Sequence, residues 1–406
     1  MLKEVLTVSC DGENQASSLF QEIDPMSGNV IYDHQGESSL RNAFGINALT
    51  KHVYSASNRR SILQLSCLGP TNSENKGYRS IVCPEKIDLI ALSTSSENQL
   101  MATASGSAIQ LWEIRSGWKS REICEKSHDI SKLIFAGNDR LLISGSKDGK
   151  VNVWDVSEIL NSFEEVFPSL SSSHHKSAIT DLYACNPSAS FLVWSCSEDH
   201  SCQLYNVFDG EIKVKLALEA SPQCLVCSAA ILTVYVGLNN GDISVFTREN
   251  KRCFDDDTAS KSCFLTGHKS TVTCLSISQF GSMLASGGID KRVCLWDTFS
   301  RTCLKVINQS GPVLNIMFVS YVSNGEFSVP PIFMNDCKTI GCYLVELPIL
   351  PKAQHYKKIR LWDMVDTETD SDYNESARLR DEIHRLKKVN VELMKNKLCN
   401  VRCEKA

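Results

Sequence analysis

Five times along this chain a strand-like apolar segment carries an aromatic residue followed by an acid or another polar side chain, and that repetition restricts the fold more than any other feature. The clearest copies are IQLWEI around Trp112, VNVWDV around Trp154 and VCLWDT around Trp296, with weaker ones at Tyr205 (CQLYNV) and Phe246 (ISVFTR). Successive aromatic residues lie 42, 51, 41 and 50 positions apart, the length of a four-stranded unit with variable loops. Each copy alternates apolar and polar residues, as at Val151, Val153 and Val156, which predicts a strand rather than a helix. Upstream lie the turns SKDGK, SEDHS, LNNGD and GIDKR, rich in residues that tolerate tight-turn backbone angles. Each unit therefore reads as an antiparallel meander, and several in series imply an all-β propeller.

Two further strand-like segments, SSLFQEI near Phe20 and RSILQLS near Leu63, precede Trp112 at comparable spacing and bring the expected number of blades to seven. The stretch 5–23 is too short for a blade of its own. It is expected to supply outer strands of a blade completed from the C-terminal side, which closes the ring and removes free edges within it. Candidate closing strands are VLNIMFVSY at 313–321 and segments near 332 and 340. A further string, KIRLWDM at 358–364, either closes the last blade, the preferred reading, or forms an eighth pseudo-blade. The expected propeller spans 1–364.

Within one unit the series Gly267-His268, Ser286, Asp290, Trp296-Asp297 resembles the WD40 repeat family. In that family the indole, hydroxyl, imidazole and turn carboxylate form a structural hydrogen-bonded network, which satisfies polar groups that a blade buries. Matching sets are His128, Ser144, Asp148 and Trp154, and His175, Ser195, Asp199 and Tyr205. Ser, His and Asp together invite a catalytic-triad reading, but a catalytic site is single and these sets recur blade by blade. A triad also needs an exposed nucleophile beside an oxyanion hole. The expectation is a structural role and no catalytic residue.

After an acidic linker at 365–376, residues 377–398 change to ARLRDEIHRLKKVNVELMKNKL, charged and helix-favouring. Leu379, Ile383, Leu386, Asn390 and Leu393 alternate spacings of four and three, the d and a positions of a heptad, with Asn390 at an a position. This predicts a C-terminal coiled-coil helix that dimerises the chain. About three heptads is short for an independent coiled coil, so a helix docked on the propeller or on a partner is the alternative.

The stretches 174–211 and 265–315, with the tail RLRDEIHRLKKVNVEL at 378–393, are similar to the WD repeat-containing protein 18 family. The resemblance runs nearly the full length and departs over 320–370. It implies a non-catalytic scaffold subunit of a Rix-type complex in the nucleolus and nucleoplasm. Such a subunit acts in pre-60S ribosome maturation and rRNA internal-spacer processing and helps to recruit an AAA-type remodelling ATPase. The implied partners are a helical-repeat scaffold subunit of the Rix/PELP type and a further complex subunit, with a midasin-type ATPase and the pre-60S particle reached indirectly. Another WD40 adaptor, such as a ubiquitin-ligase substrate receptor, is the rival reading, and a propeller enzyme the weaker one.

Composition narrows the remaining chemistry. A net charge of -5 and a pI near 6.0 supply no broad attraction to a phosphate backbone, so strong direct nucleic-acid binding is not expected. The most apolar stretch, 224–236, is interrupted by Ser228 and Thr233 and predicts strands rather than a membrane span. Without a signal-peptide pattern at the N-terminus, the 18 cysteines read mostly as small buried apolar residues. Cys224 and Cys227 have metal or redox spacing but lack a second pair nearby, and GHKST at 267–271 lacks the glycine that opens a phosphate loop. No cofactor or metal is expected.

Overall fold

In the computed structural model, residues 2–11, 18–47, 50–69, 79–83, 85–93, 99–114, 119–125, 128–162, 165–185, 191–228, 233–247, 263–322 and 343–345 are described. They form seven antiparallel sheets, six of four strands and one of five. The innermost strands pack on one another in a closed cycle, which makes a seven-bladed β-propeller. We number the blades from the N-terminus and letter the strands a to d from the channel outward.

Blade one joins the N-terminal strands to a strand from late in the chain. Its strand a is Val313–Val322, and Leu2–Cys10, Ser18–Ile23 and Val30–Gln35 are its strands b, c and d. Leu2 pairs with Val322 and the register runs without break to Ser9 opposite Asn315. Of the candidate closing segments, 313–321 is the one that pairs with the N-terminal strands, and Phe20 and Leu63 both stand on strands c, of blades one and two. Val313–Val322 fills the fourth place of the closing sheet. Of the other candidate closing segments, that near 340 contributes Tyr343–Val345 as a fifth strand, on the outer edge of blade two. The segment near 332, the string 358–364, the linker 365–376 and the heptad residues Leu379, Ile383, Leu386, Asn390 and Leu393 lie outside the described residues.

The core is a series of layers between blades. Between blades four and five, for instance, Ile143, Val151 and Val153 pack with Ile179, Leu182, Val193 and Tyr205. A middle strand consequently has a neighbour on both faces. Leu141–Ser146 is buried along its whole length, whereas the outermost Cys303–Asn308 is almost wholly exposed. This changes the meaning of the alternation seen in the sequence: Gln110, Asn152, Gln203 and Ser244, the polar residues of strands c, are buried too. One boundary also differs. Val156 does not extend the Trp154 strand, which ends at Asp155. The Asp155 carboxylate accepts from the backbone N–H groups of Ser157 (2.8 Å) and Glu158 (3.3 Å) and caps a short helix, Val156–Asn161.

Candidate functional site

The residues singled out by spacing meet on strands b and c and on the loops that enter strands a. Blade seven holds the complete set. Trp296 Nε1 donates to Ser286 Oγ at 2.8 Å, His268 Nε2 lies 2.8 Å from the same oxygen, and His268 Nδ1 lies 3.0 Å from Asp290. With Nδ1 protonated against the carboxylate, Nε2 accepts from the serine hydroxyl, so protons point one way from indole to serine to imidazole to aspartate. Asp290 also accepts from the backbone N–H of Lys269 at 2.9 Å, which fixes the loop that carries the histidine.

Blade five assembles three of its four. His175 Nε2 is 2.8 Å from Ser195 Oγ and Nδ1 is 3.2 Å from Asp199. Burial holds the His175 pKa below its ordinary value, against the opposing pull of the Asp199 carboxylate. Tyr205 fills the Trp position but does not join the network, and its buried hydroxyl has no hydrogen-bond partner among the described residues. A phenol carries its polar atom at the far end of the ring, whereas an indole carries N–H on its flank, where the serine stands.

Blade four corrects the sequence reading. Trp154 Nε1 donates to Ser144 Oγ at 3.1 Å as expected, but the serine is bonded on its other side by Glu125, not by His128. His128 is 61% exposed and pairs with Asp148, at 3.3 Å, rather than with Ser144. Asn152 Nδ2 also donates to Glu125, at 3.2 Å. Register explains the exchange. His175 and His268 stand four residues before strands a that begin at Ile179 and Val272, while His128 stands two before Ile130. Counting back from the serine, the histidines lie 20 and 18 residues away and Glu125 lies 19. That offset was the signal available in the sequence. Burial pushes the Glu125 carboxyl above its ordinary pKa, although its bonds to Ser144 and Asn152 oppose this.

Other blades use substitutes that the repeat pattern did not reveal. Trp112 Nε1 donates to Thr103 Oγ1 at 3.0 Å in blade three, across a shorter turn. In blade one the fully buried Glu22 meets His34 Nε2 at 2.8 Å and accepts from the backbone N–H of Gly69 of blade two at 2.7 Å. The turn glycines have a matching purpose. Gly149 (φ +85) and Gly241 (φ +96) press on the carbonyls of His175 and His268, and an added Cβ would lie 2.8 and 2.9 Å from those oxygens. A turn of one blade thus seats the histidine loop of the next.

None of these serines can act as a nucleophile where it stands. Ser195 and Ser286 are 1% and 0% exposed, and the Ser286 oxygen lies beneath Trp296. The channel, where a propeller enzyme would collect its chemistry, is crossed by side chains. Strand a of blade two bulges at 40–43, with the register jumping from Ser39 opposite Ser57 to Phe44 opposite Ser55. From this bulge Arg41 reaches across to Gln223 of blade six, donating to its backbone carbonyl and, at 3.3 Å, to Oε1. Lys132 of blade four donates to Asn42 Oδ1 (2.7 Å) and pairs with Asp181 of blade five (2.9 Å). Asn315 accepts from the Asn42 backbone N–H at 2.9 Å. The arrangement braces inner strands of five blades.

Cys224 and Cys227, three apart on a strand, face opposite sides. Cys224 packs toward blade seven and Cys227 toward blade five, so they cannot share a ligand. Among the described residues no cluster of three or more His, Cys, Asp or Glu could hold a metal ion. Cys196 and Cys202, directly opposite on strands b and c of blade five, form a disulfide.

Comparison with known proteins agrees with this geometry. The family model for the WD domain, G-beta repeat, matches residues 120–155, 168–206 and 260–297. These segments end just after Trp154, Tyr205 and Trp296, so each takes strand d of one blade and strands a to c of the next. Human WD repeat-containing protein 18 is 30% identical over 245 residues, 58% of this chain and 56% of that protein. The protein of the same name from Bos taurus is 28% identical over 257 residues, 61% of this chain and 59% of its own length. Pre-rRNA-processing protein pro-1 from Caenorhabditis elegans is 22% identical over 340 residues, 80% of this chain and 63% of that protein. The chain therefore spans less than two thirds of each of these relatives.

Proposed function

We propose that this chain, a WD40-repeat protein related to WD repeat-containing protein 18, is a non-catalytic scaffold in the processing of ribosomal RNA precursors. In this reading it belongs to a Rix-type complex acting on pre-60S particles, in the nucleolus and nucleoplasm. There it contributes to internal-spacer processing and to recruitment of an AAA-type remodelling ATPase of the midasin kind. Its direct partners would be a helical-repeat subunit of the Rix/PELP type, a further subunit, and a second copy held through Leu379, Ile383, Leu386, Asn390 and Leu393. The observation that carries the proposal is the pairing of two sets of relatives, one named for WD repeats and one for pre-rRNA processing, on the same propeller. The buried, repeated Ser-His-Asp sets and the braced channel support the non-catalytic part. A propeller offers several rigid loop surfaces, which suits a subunit that joins others.

The test is affinity purification of the tagged chain from growing cells with mass spectrometry, together with northern analysis of rRNA precursors after depletion. The helical scaffold, the ATPase and large-subunit proteins should be recovered, and a spacer-containing precursor should accumulate. Recovery of ubiquitin-ligase subunits with normal precursors would overturn the proposal.

A further inference from the structure

The seven innermost strands line the channel, and among the described residues they carry three charged side chains. These are Arg41 on Ser39–Asn47, Lys132 on Ile130–Ala136 and Asp181 on Ile179–Ala184. Two cations therefore stand against one carboxylate, in a chain whose overall net charge is -5. Each is the third residue of its strand, so the three gather toward one mouth of the channel.

Asp181 is already engaged. One of its oxygens pairs with Lys132 at 2.9 Å and accepts from the Leu182 backbone N–H at 3.0 Å, and the other accepts from the Leu225 backbone N–H of blade six at 2.8 Å. The carboxylates that precede strands a of blades two, three and four are occupied elsewhere: Glu37 with Arg60 (3.4 Å), Asp88 with the Gly106 backbone N–H (3.2 Å) and Asp129 with Lys147 (2.9 Å). Burial pushes the Cys224 and Cys274 thiols up, Cys274 to about 11, against the opposing pull of Arg41 and Lys132 on both, so these thiols stay neutral and supply no counter-charge.

Arg41 is left as the odd charge. Its guanidinium bonds only neutral oxygens, the backbone carbonyl and Oε1 of Gln223, and its buried Nε–H has no acceptor among the described residues. A guanidinium stays protonated, and a buried donor or charge left unpaired is costly. Joining one inner strand to another does not need a charge. Asn315 Nδ2 does so to the Leu40 carbonyl at 2.9 Å, and Thr273 Oγ1 to the Val313 carbonyl. What Arg41 adds to a brace is positive charge and a rigid fork of N–H donors, and an oxyanion accepts both. Lys132, bonded to Asn42 beside Arg41, brings a second cation to the same mouth.

We propose that this mouth of the channel is an oxyanion site, in which the Arg41 guanidinium holds a phosphate or carboxylate group and Lys132 adds to the attraction. The occupant is either a free phosphate ion or the acidic side chain of a partner that enters the mouth. The inference stands apart from the function proposed above, and its failure would leave that reading untouched.

The experiment is equilibrium dialysis of the full-length chain against labelled inorganic phosphate at low ionic strength, for wild type and Arg41→Gln. Wild type should bind one phosphate per chain with a Kd of about 1 mM, and Arg41→Gln, which keeps a donor for Gln223, should bind about tenfold more weakly or worse. A cooperative melt checks that the variant is folded. Should it fail to fold, Arg41→Lys takes its place: it keeps the charge without the fork and should also bind about tenfold more weakly. No saturable binding by folded wild type would overturn the inference, and so would equal binding by wild type and the folded variant. The same dialysis on the chain copurified with its partners separates the two sources. Phosphate binding that persists there identifies a free ion as the occupant. Binding that is lost there and returns once the partners are stripped identifies an acidic side chain of a partner.

Discussion

Blades seven and four perform the same packing task with different side chains. Both place a Trp on strand c whose indole N–H donates to a serine on strand b. In blade seven that serine is completed by a histidine tied to a turn aspartate, so the network fastens strand c, strand b, the entering loop and the next turn to one another. In blade four a glutamate completes it, and the aspartate turn is left to an exposed histidine and to Lys150, at 2.9 Å. The difference teaches that the Trp-Ser pair is the common element and that the third partner can change, provided it is buried and can bond the serine.

That comparison breaks most sharply at the shared element. Trp296→Ala should lower stability by about 3 to 5 kcal/mol, the range for truncating a buried aromatic, and Trp154→Ala should fall in the same range. Thermal or denaturant unfolding checks this, and an unchanged midpoint for either would mean that the indole is not holding its blade. Next in size, Ser286→Ala leaves the Trp296 N–H without its acceptor and His268 without its serine, and should cost about 1 to 3 kcal/mol. Ser195→Ala should cost less, because among the described residues His175 alone bonds that oxygen and Tyr205 does not. Equal losses at the two serines would mean that Ser195 has a second partner of the kind Trp296 provides to Ser286.

The ring and its count were legible because strand c repeats: aromatic residues at blade spacing and glycine or aspartate turns identify a meander whatever the rest of the blade contains. Closure of the N-terminal strands from the C-terminal side was legible for a physical reason as well, since those strands lacked an inner partner; which of the candidate segments supplies it was not. Glu125 was hidden because a residue-type match to histidine overrode the offset from the strand, and the offset is what places a side chain. Glu22 with His34, and Arg41 with Gln223, were hidden for another reason. Each joins positions that no repeat relates: one bridges two blades at their rim and the other crosses the channel from an irregular bulge. Periodicity reports what is repeated, and these contacts occur where the repeat fails.

A smaller effect separates blades five and seven. Tyr205→Phe removes a buried hydroxyl that has no partner, so it should leave stability unchanged or raise it by about 1 kcal/mol. A measurable loss would show that the phenol oxygen has a bonded partner after all, and the two blades would then be closer in design than their geometry indicates.

The finest distinction is electrostatic and concerns Glu125. Burial raises its folded pKa above the unfolded value of about 4.5, so the folded chain keeps a proton that the unfolded chain releases as pH rises. Its contribution to stability is complete below about 4.5 and is lost as pH climbs through the raised folded value. Glu125→Gln keeps an acceptor for Ser144 but cannot ionise, and it should remove this slope while holding the blade together at neutral pH. His128→Ala, at an exposed position, should change stability by less than about 0.5 kcal/mol at any pH. His268→Ala should cost more, because it leaves Asp290 and Ser286 unpaired inside blade seven. Melting curves of the three variants from about pH 4 to 8, the span over which carboxylates and imidazoles titrate, decide the matter. A pH slope that survives Glu125→Gln and disappears in His128→Ala would restore the histidine to the network and make blades four and seven alike.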